Sequence, residues 1–334
     1  MNHELYMQKC IDLAVIPGKE VGGNPHVGAV LVYKGRIIGQ GYYEKYGGKH
    51  AEVNCLDSVA DEDRPFISQS SLYVSLEPCC IYGKTPPCTD AIRRAEIKHV
   101  VIGAVDPNPE MSGKSIEILR KADIEVLHGI LKEKAEDIIR SFKVNILTDR
   151  PYVTLKIAKS RDNYIGQKGK QVWLTNPYTG VLTHKWRSEH DAIMVGSETI
   201  LVDNPALTTR NYPGEDPIRI TVDRRARLSP DYQFFNDDHY MYFGNQSDIK
   251  NAYTATSVID ILRQLKENNI YRLMVEGGQE LIESFIREKC WDEARIISTE
   301  HMLGSGIKAP NIIGRLHQKI TLEKNEIHCL YRES

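Results

Sequence analysis

The sequence predicts an α/β protein of two domains, and three observations support this fold class. Runs rich in β-branched residues alternate with helix-like periodic segments along the chain, as they do in layered α/β proteins. The alternation is interrupted by the polar, proline-ending stretch 145–151 and then restarts. A chain of 334 residues also exceeds what one hydrophobic core usually supports. We therefore predict domains at residues 1–146 and 147–334.

The elements of the first domain follow from local periodicity. Apolar residues at helical spacing predict an opening helix over 3–16, and residues 27–43 predict two strands joined by a turn at Lys34-Gly35. The pattern then predicts, in order, a helix at 51–60, a strand at 71–76, a helix at 89–97, a strand at 99–106, and alternating helix, strand and helix to about residue 142. Strands separated by helices predict a three-layer αβα sandwich.

The second domain shows the same alternation. The pattern predicts a strand at 152–158, a helix at 177–189, strands at 191–195, 217–223 and 271–278, and a helix at 279–289. Further β-rich segments close the chain. The pattern G-x-G-x-x-G follows no predicted strand, so a Rossmann domain is not supported.

Composition narrows the class of protein. The net charge is −2, so no global attraction to nucleic acid or to an anionic membrane is indicated. No apolar run approaches the ~20 residues of a membrane span, and the first residues lack the apolar core of a signal peptide. The seven cysteines are odd in number, and Cys79 and Cys80 are adjacent, which favours reduced thiols and a metal site over disulfides. We therefore predict a cytoplasmic protein. Nucleic-acid substrates stay open at this point, because a local basic groove can exist within a balanced total charge.

Two short strings carry the chemistry of the first domain, HAEV at 50–53 and EPCCIYGKTPPC at 77–88. A catalytic zinc takes three nitrogen or sulfur ligands and keeps one position for water, and His50, Cys79 and Cys88 can supply the three. Glu52 can reach such a water and move its proton, as in the H-x-E and P-C-x-x-C pattern of nucleobase deaminases. Here eight residues separate the two cysteines. The sequence predicts a zinc-dependent deaminase.

A closed structural zinc site is the alternative interpretation. It needs a fourth protein ligand, which Cys80 or Cys55 could supply. A structural site has no use for the glutamate, and Cys79, directly after Pro78, fits the deaminase pattern better than Cys80.

Longer motifs extend this prediction to the whole chain. In the first half they are GNPHVGAVLV (23–32), HAEV, EPC…GKTPPC and DPNP (106–109). In the second half they are LKIAKSRD (155–162), VWLT (172–175), HKWR (184–187), DAIMVGSETILVDNPALTTR (191–210), PIRITVDR (217–224) and VEGG (275–278). With these motifs the chain resembles the bifunctional deaminase/reductases of the riboflavin pathway, over about residues 5 to 305 and in that family's order.

The resemblance implies a cytidine-deaminase-like first domain that deaminates a diaminopyrimidinone carrying a ribosylamino 5′-phosphate. It implies a second domain similar in fold to dihydrofolate reductase, which reduces the ribose to a ribityl chain with NADPH, and a homo-oligomer. Asn24 matches a family position that contacts the pyrimidine, and Lys84 one near the substrate phosphate. The alternatives are a turn residue before Pro25 and a solvated loop lysine.

In the second domain the resemblance implies two groups of substrate residues. Lys156, Asp203 and Glu276 match positions that line the ribose, and Arg187 and Arg210 match positions that hold the phosphate. The cofactor side is implied for Thr175, Asn176, Gly196, Thr199, Asp223, Gly277 and Gly278.

Ordinary structural roles remain open for several of these positions. Arg187 could lie on a solvated helix face and Asp203 could cap a helix end. Gly277-Gly278 could be a tight turn, and Trp173 is interpreted as a core residue.

Some positions depart from the family pattern. Gly23 replaces a proline, Tyr43 replaces a substrate-side histidine, and Cys80-Ile81 replaces a Ser-His pair. Residues 160–163, SRDN, replace a Ser-Leu-Asp-Gly stretch. The metal motif is intact while the pocket differs, so a second hypothesis is a paralogue that deaminates a different nucleotide or a base, with its second half altered or used only for binding.

Overall fold

The computed structural model describes residues 2–333, which divide into two compact units. The first unit ends at Thr148 and the second begins at Asp149, two residues after the boundary that the sequence suggests. No helix among the described residues is both long and apolar enough to cross a bilayer.

The first unit is a five-stranded sheet with helices on both faces. Its elements are α1 (His3–Ala14), β1 (Gly28–Tyr33), β2 (Arg36–Tyr42), α2 (Ala51–Asp57), β3 (Ser71–Leu76), α3 (Cys88–Arg94), β4 (His99–Ala104), α4 (Lys114–Lys121), β5 (Glu125–His128), α5 (Lys132–Ile138) and α6 (Arg140–Leu147). The strand order is β2-β1-β3-β4-β5, with β1 antiparallel to β2 and β3 and the remaining pairs parallel.

Alternating side chains of the central strands build the two cores of this unit. On β1, Ala29 and Leu31 pack in the cluster that includes Cys55 of α2 and Leu119 of α4. Val30 and Val32 point to the opposite face and pack in the cluster that includes residues of α1 and α5. This period-two alternation produces the predicted three layers.

Close packing of α2 on β2 positions the motif HAEV. A Cβ atom on Gly41 of β2 would lie 2.3 Å from the backbone nitrogen of Cys55, and one on Gly39 would lie 2.6 Å from the Cys55 carbonyl oxygen. Only glycine permits this approach, because any side chain would push the helix away from the strand. The helix start, with His50 and Glu52, is thereby held against the sheet.

The second unit is built on a nine-stranded sheet. Its elements are β6 (Tyr152–Lys159), β7 (Tyr164–Gly166), α7 (Pro177–Ser188), β8 (Ala192–Gly196), α8 (Ser197–Asp203), β9 (Ile218–Asp223), β10 (Tyr240–Gly244), β11 (Ala252–Tyr253), α9 (Val258–Glu267), β12 (Arg272–Glu276), α10 (Gln279–Arg287), β13 (Glu293–Ser298), β14 (Ile307–Lys308), β15 (Arg315–Leu322) and β16 (Asn325–Tyr331). The order is β11-β10-β9-β8-β12-β6-β13-β16-β15, and β14 pairs with β7 separately.

Parallel pairing from β11 to β13 brings the carboxyl ends of these strands to one edge of the sheet. The helices α9 and α10 pack on one face and α7 and α8 on the other. Gly196, Asp223 and Glu276 end β8, β9 and β12, so the positions implied by the resemblance meet at this edge.

The sequence prediction differs from this fold in two respects. The elements β7, β10, β11, α8 and α9 were not predicted, and short 3₁₀ segments also occur, as at Asp61–Gln69. The interpretation of Trp173 as a core residue is wrong, because 73% of it is exposed. Aromatic side chains are usually well buried, but whether an aromatic side chain in a loop is buried depends on the packing around that loop.

A buried histidine should make the second unit sensitive to acid. His190 shares hydrogen bonds with the Trp186 carbonyl (2.7 Å) and Thr154 Oγ1 (2.9 Å), and burial, followed by the charge of Arg295, lowers its pKa from 6.5 to about 4. The unfolded chain therefore binds the proton first, so stability is complete above pH 6.5 and falls as the pH drops toward 4. At about 1.4 kcal/mol per pKa unit the loss is about 3 kcal/mol.

The measurement is calorimetric unfolding of the full chain between pH 7.5 and ~4. His190→Gln should flatten the pH dependence of the unfolding transition of the second unit. An unchanged slope in that variant would show that His190 is not its source.

Candidate functional site

The three predicted metal ligands converge in the first unit. His50 directly precedes α2, Cys79 follows β3, and Cys88 begins α3, and their ligand atoms all lie within 4.8 Å of one another. His50 Nδ1 is 3.4 Å from Cys79 Sγ and 3.2 Å from Cys88 Sγ. The Cys88 amide donates a hydrogen bond to Cys79 Sγ (3.2 Å). Residues 38 positions apart in sequence thus form one compact donor cluster.

This donor set fits a zinc ion. Tetrahedral zinc holds neighbouring sulfur and nitrogen donors roughly 3.6 Å apart, close to the separations seen here. The hydrogen bond with Cys88, and then that with His50, lowers the pKa of Cys79, whereas the hydrogen bond with Cys79 and burial raise that of Cys88. Among residues 2–333 the group comprises these three side chains, and neither Cys80 nor Cys55 joins it. The fourth ligand that a closed structural site requires is therefore missing from the described part of the chain.

Glu52 lies beside this cluster in the first turn of α2. The residue is 3% exposed, and its carboxyl group shares a hydrogen bond with the Cys88 thiol. Burial and then the negative charge of Cys79 raise the pKa of Glu52 to about 7. A carboxyl group with this pKa can both accept and release a proton near neutral pH.

A cavity of about 330 Å³ opens onto the cluster. Its walls include the predicted site residues Asn24, His50, Glu52, Cys79 and Lys84 and the departures Tyr43 and Ile81. They also include Tyr46, Glu77, Thr85, Asp106 and Met111, to which the sequence reasoning gave no role. The exposed Lys84 places its ammonium group 4.0 Å from the centre of the Tyr46 ring, and Thr85 Oγ1 is 3.4 Å from His50 Nε2. The cavity therefore combines a metal site, a buried carboxyl group and a cation.

Glu77 organises one wall of this cavity, and the sequence reasoning missed it. The residue is 3% exposed. Its carboxylate accepts hydrogen bonds from the amides of Asp106 (3.2 Å), Gly113 (2.9 Å) and Ser115 (3.1 Å), and from the Ser115 hydroxyl (2.7 Å). These bonds hold the loop that carries Asp106 and Met111. The available signal was a glutamate directly before Pro78-Cys79, which no local rule connects with a loop thirty residues away.

Removing the charge of Glu77 should destabilise the first unit. In Glu77→Gln an NH₂ group faces two buried donors, so we expect a loss of about 1–3 kcal/mol in the free energy of unfolding. Ser115→Ala, which removes one of the four donors and leaves the carboxylate, is the matched control and should cost less. The measurement is thermal and urea unfolding of the full chain. Equal losses in both variants would contradict the interpretation that the Glu77 carboxylate holds the loop of Asp106 and Met111.

In the second unit, three of the predicted side chains form a buried ion cluster. Glu276 and Lys156 are register partners on β12 and β6, and Lys156 Nζ donates to Glu276 Oε1 (2.6 Å). Arg187 of α7 donates to Glu276 Oε2 through Nη2 (2.9 Å) and Nε (3.2 Å). Burial by itself would raise the pKa of Glu276, but the charges of Arg187 and Lys156 outweigh it and lower the pKa to about 2.

Arg187 belongs to this cluster, whereas the other two predicted substrate residues of the second unit, Arg210 and Asp203, do not. The side chain of Arg187 is 11% exposed, so the interpretation that it lies on a solvated helix face is wrong. Its remaining nitrogen, Nη1, donates to the Thr208 carbonyl (3.1 Å). Arg210 is exposed and only approaches Thr208 Oγ1 (3.4 Å). Asp203 ends α8, and burial raises its pKa, but no ion pair or hydrogen bond found among the described residues joins it to Glu276.

The predicted cofactor positions fall into two groups. Gly196, Thr199 and Gly277 lie together, since a Cβ on Gly277 would be 3.4 Å from Thr199 Oγ1 and 3.6 Å from the Gly196 nitrogen. Gly278 is the N-cap residue of α10 beside them.

The second group has structural partners. Asn176 caps α7 by accepting from the Thr179 amide (2.9 Å), and Asp223 Oδ2 accepts from the amides of Arg227 and Leu228. Thr175, next to Asn176, is half-buried. A cofactor role for these three residues stays a prediction.

Comparison with known proteins agrees with both halves of this geometry. The family model for the cytidine and deoxycytidylate deaminase zinc-binding region matches residues 1–104, and the model for the RibD C-terminal domain matches residues 151–330. The riboflavin biosynthesis protein RibD of Aquifex aeolicus is 35% identical over 97% of this chain and 95% of its own length. The chain belongs to the RibD family. RibD of Escherichia coli strain K12 is 30% identical over 91% of this chain and 89% of its own.

Solved structures show the same RibD architecture across both units. A Thermotoga maritima protein described as a diaminohydroxyphosphoribosylaminopyrimidine deaminase/5-amino-6-(5-phosphoribosylamino)uracil reductase matches with a TM-score of 0.89 and 32% identity, covering 99% of this chain and 98% of that one. Acinetobacter baumannii RibD, form 1, matches with a TM-score of 0.88 and 29% identity, covering 99% of both chains. The first unit is thus a cytidine-deaminase-like domain and the second a RibD reductase domain.

The structure explains one departure from the RibD pattern and gives weight to two others. Asn163, where the resemblance leads us to expect glycine, adopts φ = 64°, a left-handed conformation that asparagine tolerates better than most residues. This replacement therefore keeps the backbone. Tyr43 and Ile81 both line the cavity, so they change which polar groups the pocket presents.

Proposed function

We propose that this RibD protein hydrolyses the amino group from a diaminopyrimidinone carrying a ribosylamino 5′-phosphate and then reduces the ribose to a ribityl chain with NADPH, as two early steps of riboflavin biosynthesis. The observation that carries the proposal is the buried Glu52 beside the cluster of His50, Cys79 and Cys88 in one cavity. Membership of the family and the matching second unit support the reductase step.

In the deaminase domain, His50, Cys79 and Cys88 would hold the zinc ion. When bound there, zinc would lower the pKa of a water molecule to about 7, so that hydroxide is available at neutral pH. Glu52 accepts one proton of the attacking water and delivers it to a ring nitrogen; it then takes the proton of the hydroxyl group newly bonded to the ring carbon and delivers it to the departing amine, which leaves as ammonia. Its raised pKa suits this shuttle. Lys84, at the cavity wall, would bind the substrate phosphate.

In the reductase domain, NADPH supplies the hydride when bound, and the protein positions the sugar. Lys156 has two N–H donors beyond the one directed at Glu276, and we assign them to sugar oxygens. Arg210, which is exposed, is a candidate for the substrate phosphate, together with Arg187, which keeps two N–H donors beyond the three directed at Glu276 and Thr208. The N-terminus of α10 at Gly278, with Gly277, Gly196 and Thr199 beside it, suits a dinucleotide phosphate.

The test is to offer the zinc-loaded full chain the aminopyrimidine ribosylamino phosphate and to follow ammonia and NADPH absorbance separately. We expect ammonia first and NADPH consumption after it, and growth of a riboflavin auxotroph that carries the gene. Ammonia without NADPH consumption and without rescue would instead favour a paralogue. The absence of both signals would refute the proposal.

A specific observation favours that second candidate. Tyr43 and Ile81 line the cavity where the family has imidazoles, and a changed set of polar groups shifts substrate preference. Other phosphorylated aminopyrimidines and aminopurines should therefore be offered in parallel.

We further propose a cytoplasmic location, because all seven cysteines are free thiols, and self-association, which sedimentation can measure.

A further inference from the structure

Tyr43 occupies an unusual hydrogen-bonding position in the deaminase cavity. The residue is 5% exposed, and its hydroxyl oxygen accepts hydrogen bonds from Asn24 Nδ2 (2.7 Å) and from the Gly47 amide (2.9 Å). The ring also meets His50 edge to face, with centroids 5.6 Å apart and an interplanar angle of 84°. The tyrosine is therefore fixed at both ends, by two donors at its hydroxyl and by the metal-site histidine at its ring.

These contacts determine what the hydroxyl can still do. A phenol oxygen offers two acceptor sites and one O–H donor. Asn24 and Gly47 take both acceptor sites, and the hydrogen bonds found among residues 2–333 include none that Tyr43 donates. The remaining donor belongs to a residue that lines the cavity. A ligand acceptor that meets this O–H group in the cavity would gain a hydrogen bond.

We propose that Tyr43 is a specificity-determining residue whose hydroxyl donates a hydrogen bond to the ring carbonyl oxygen of the bound aminopyrimidinone. This inference rests on the proposed function and names the atom that the pocket recognises. A 2-aminopyrimidin-4-one has two ring acceptors, an imine-like nitrogen and the carbonyl oxygen. Hydrolysis at the amino-bearing carbon uses the nitrogen, which Glu52 protonates. The carbonyl oxygen is the acceptor left for Tyr43.

The contact with His50 gives this recognition its geometry. Because the tyrosine ring packs against the histidine of the metal site, the distance from the O–H donor to that site is set by the protein. A ring whose carbonyl oxygen is bound by Tyr43 is thereby oriented relative to the metal ligands. Asn24 donates a hydrogen bond to the same hydroxyl, so its side chain is held at the cavity wall together with Tyr43.

The test is a binding cycle that removes either the hydroxyl or the carbonyl oxygen. The probes are 2-aminopyrimidin-4-one and 2-aminopyrimidine, which differ in that oxygen, titrated calorimetrically into the zinc-loaded full chain carrying Glu52→Gln so that neither is consumed. The comparison is between Tyr43 and Tyr43→Phe in this background. The matched control is Tyr33→Phe, since Tyr33 stacks on Phe66 outside the cavity.

With Tyr43 present we expect the pyrimidinone to bind about tenfold more tightly than 2-aminopyrimidine, and Tyr43→Phe to bring that ratio close to one. Tyr33→Phe should leave the ratio unchanged. A purely structural role would weaken both probes by the same factor in Tyr43→Phe, and that result would overturn the proposal. Absence of pyrimidinone binding at millimolar concentration would also overturn it. Ammonia release by the wild type, measured separately, tests the proposed function, so the two failures are distinguishable.

Discussion

Glu52→Gln is expected to lower ammonia release by about 10³-fold or more while the protein keeps its zinc. Glutamine has nearly the same shape but cannot accept the proton of the attacking water. The three metal ligands are untouched, because His50, Cys79 and Cys88 form the cluster without Glu52. The loss should therefore appear in kcat, with a smaller change in KM.

The measurements are ammonia release at saturating substrate and zinc content by mass spectrometry. Glu44→Gln, an exposed glutamate in the same unit, is the matched control and should leave both values unchanged. Retention of activity in Glu52→Gln would remove this residue from its assigned role. Loss of zinc together with activity would instead assign Glu52 to the metal site.

Glu276→Gln should produce the largest loss of stability, about 3–5 kcal/mol in the unfolding of the second unit. The neutral side chain leaves Lys156 and Arg187 as buried, uncompensated cations. The wild-type carboxylate has its pKa lowered from 4.5 to about 2, so its contribution is complete above pH 4.5 and is lost as the pH falls toward 2. We also expect NADPH consumption to fall, because Lys156 loses its partner.

Calorimetry of the full chain, between pH 7 and ~3, measures this prediction. Glu326→Gln breaks an exposed pair with Lys319, in which the glutamate is 48% exposed, and should cost less than about 1 kcal/mol. Ammonia release should survive in both variants. Similar losses for the two substitutions would mean that burial of the ion cluster does not determine its contribution.

The metal cluster could be predicted because each ligand can be recognised from its side chain within a short motif, even though the motifs are distant in sequence. Imidazole and thiolate side chains are rare enough, and zinc chemistry specific enough, that HAEV and the two cysteines indicate one site. The elements that present them, α2, β3 and α3, were also predicted, as a helix at 51–60, a strand at 71–76 and a helix at 89–97. The structure brings His50, Cys79 and Cys88 together as this interpretation requires.

The parts that could not be predicted depend on contacts that no spacing rule encodes. Glu77 binds a loop some thirty residues further on, and Arg187 is drawn into a buried ion pair instead of lying on a solvated helix face. Trp173 has an apolar aromatic side chain, as many core residues do, but it lies exposed. Each outcome depends on which elements become neighbours, and one chain segment carries no information about its neighbours in space.

The sequence by itself determined the kind of chemistry, because the identity of donor atoms and the alternation of strands and helices are properties of residues and their order. Only the tertiary structure decided how the pocket is shaped: which loop Glu77 holds, which cations surround Glu276, and which groups donate to the Tyr43 hydroxyl. The physical reason is that hydrogen bonds and ion pairs depend on distances of a few ångströms between groups far apart in the chain. Such distances exist only once the sheet order and the helix packing are established.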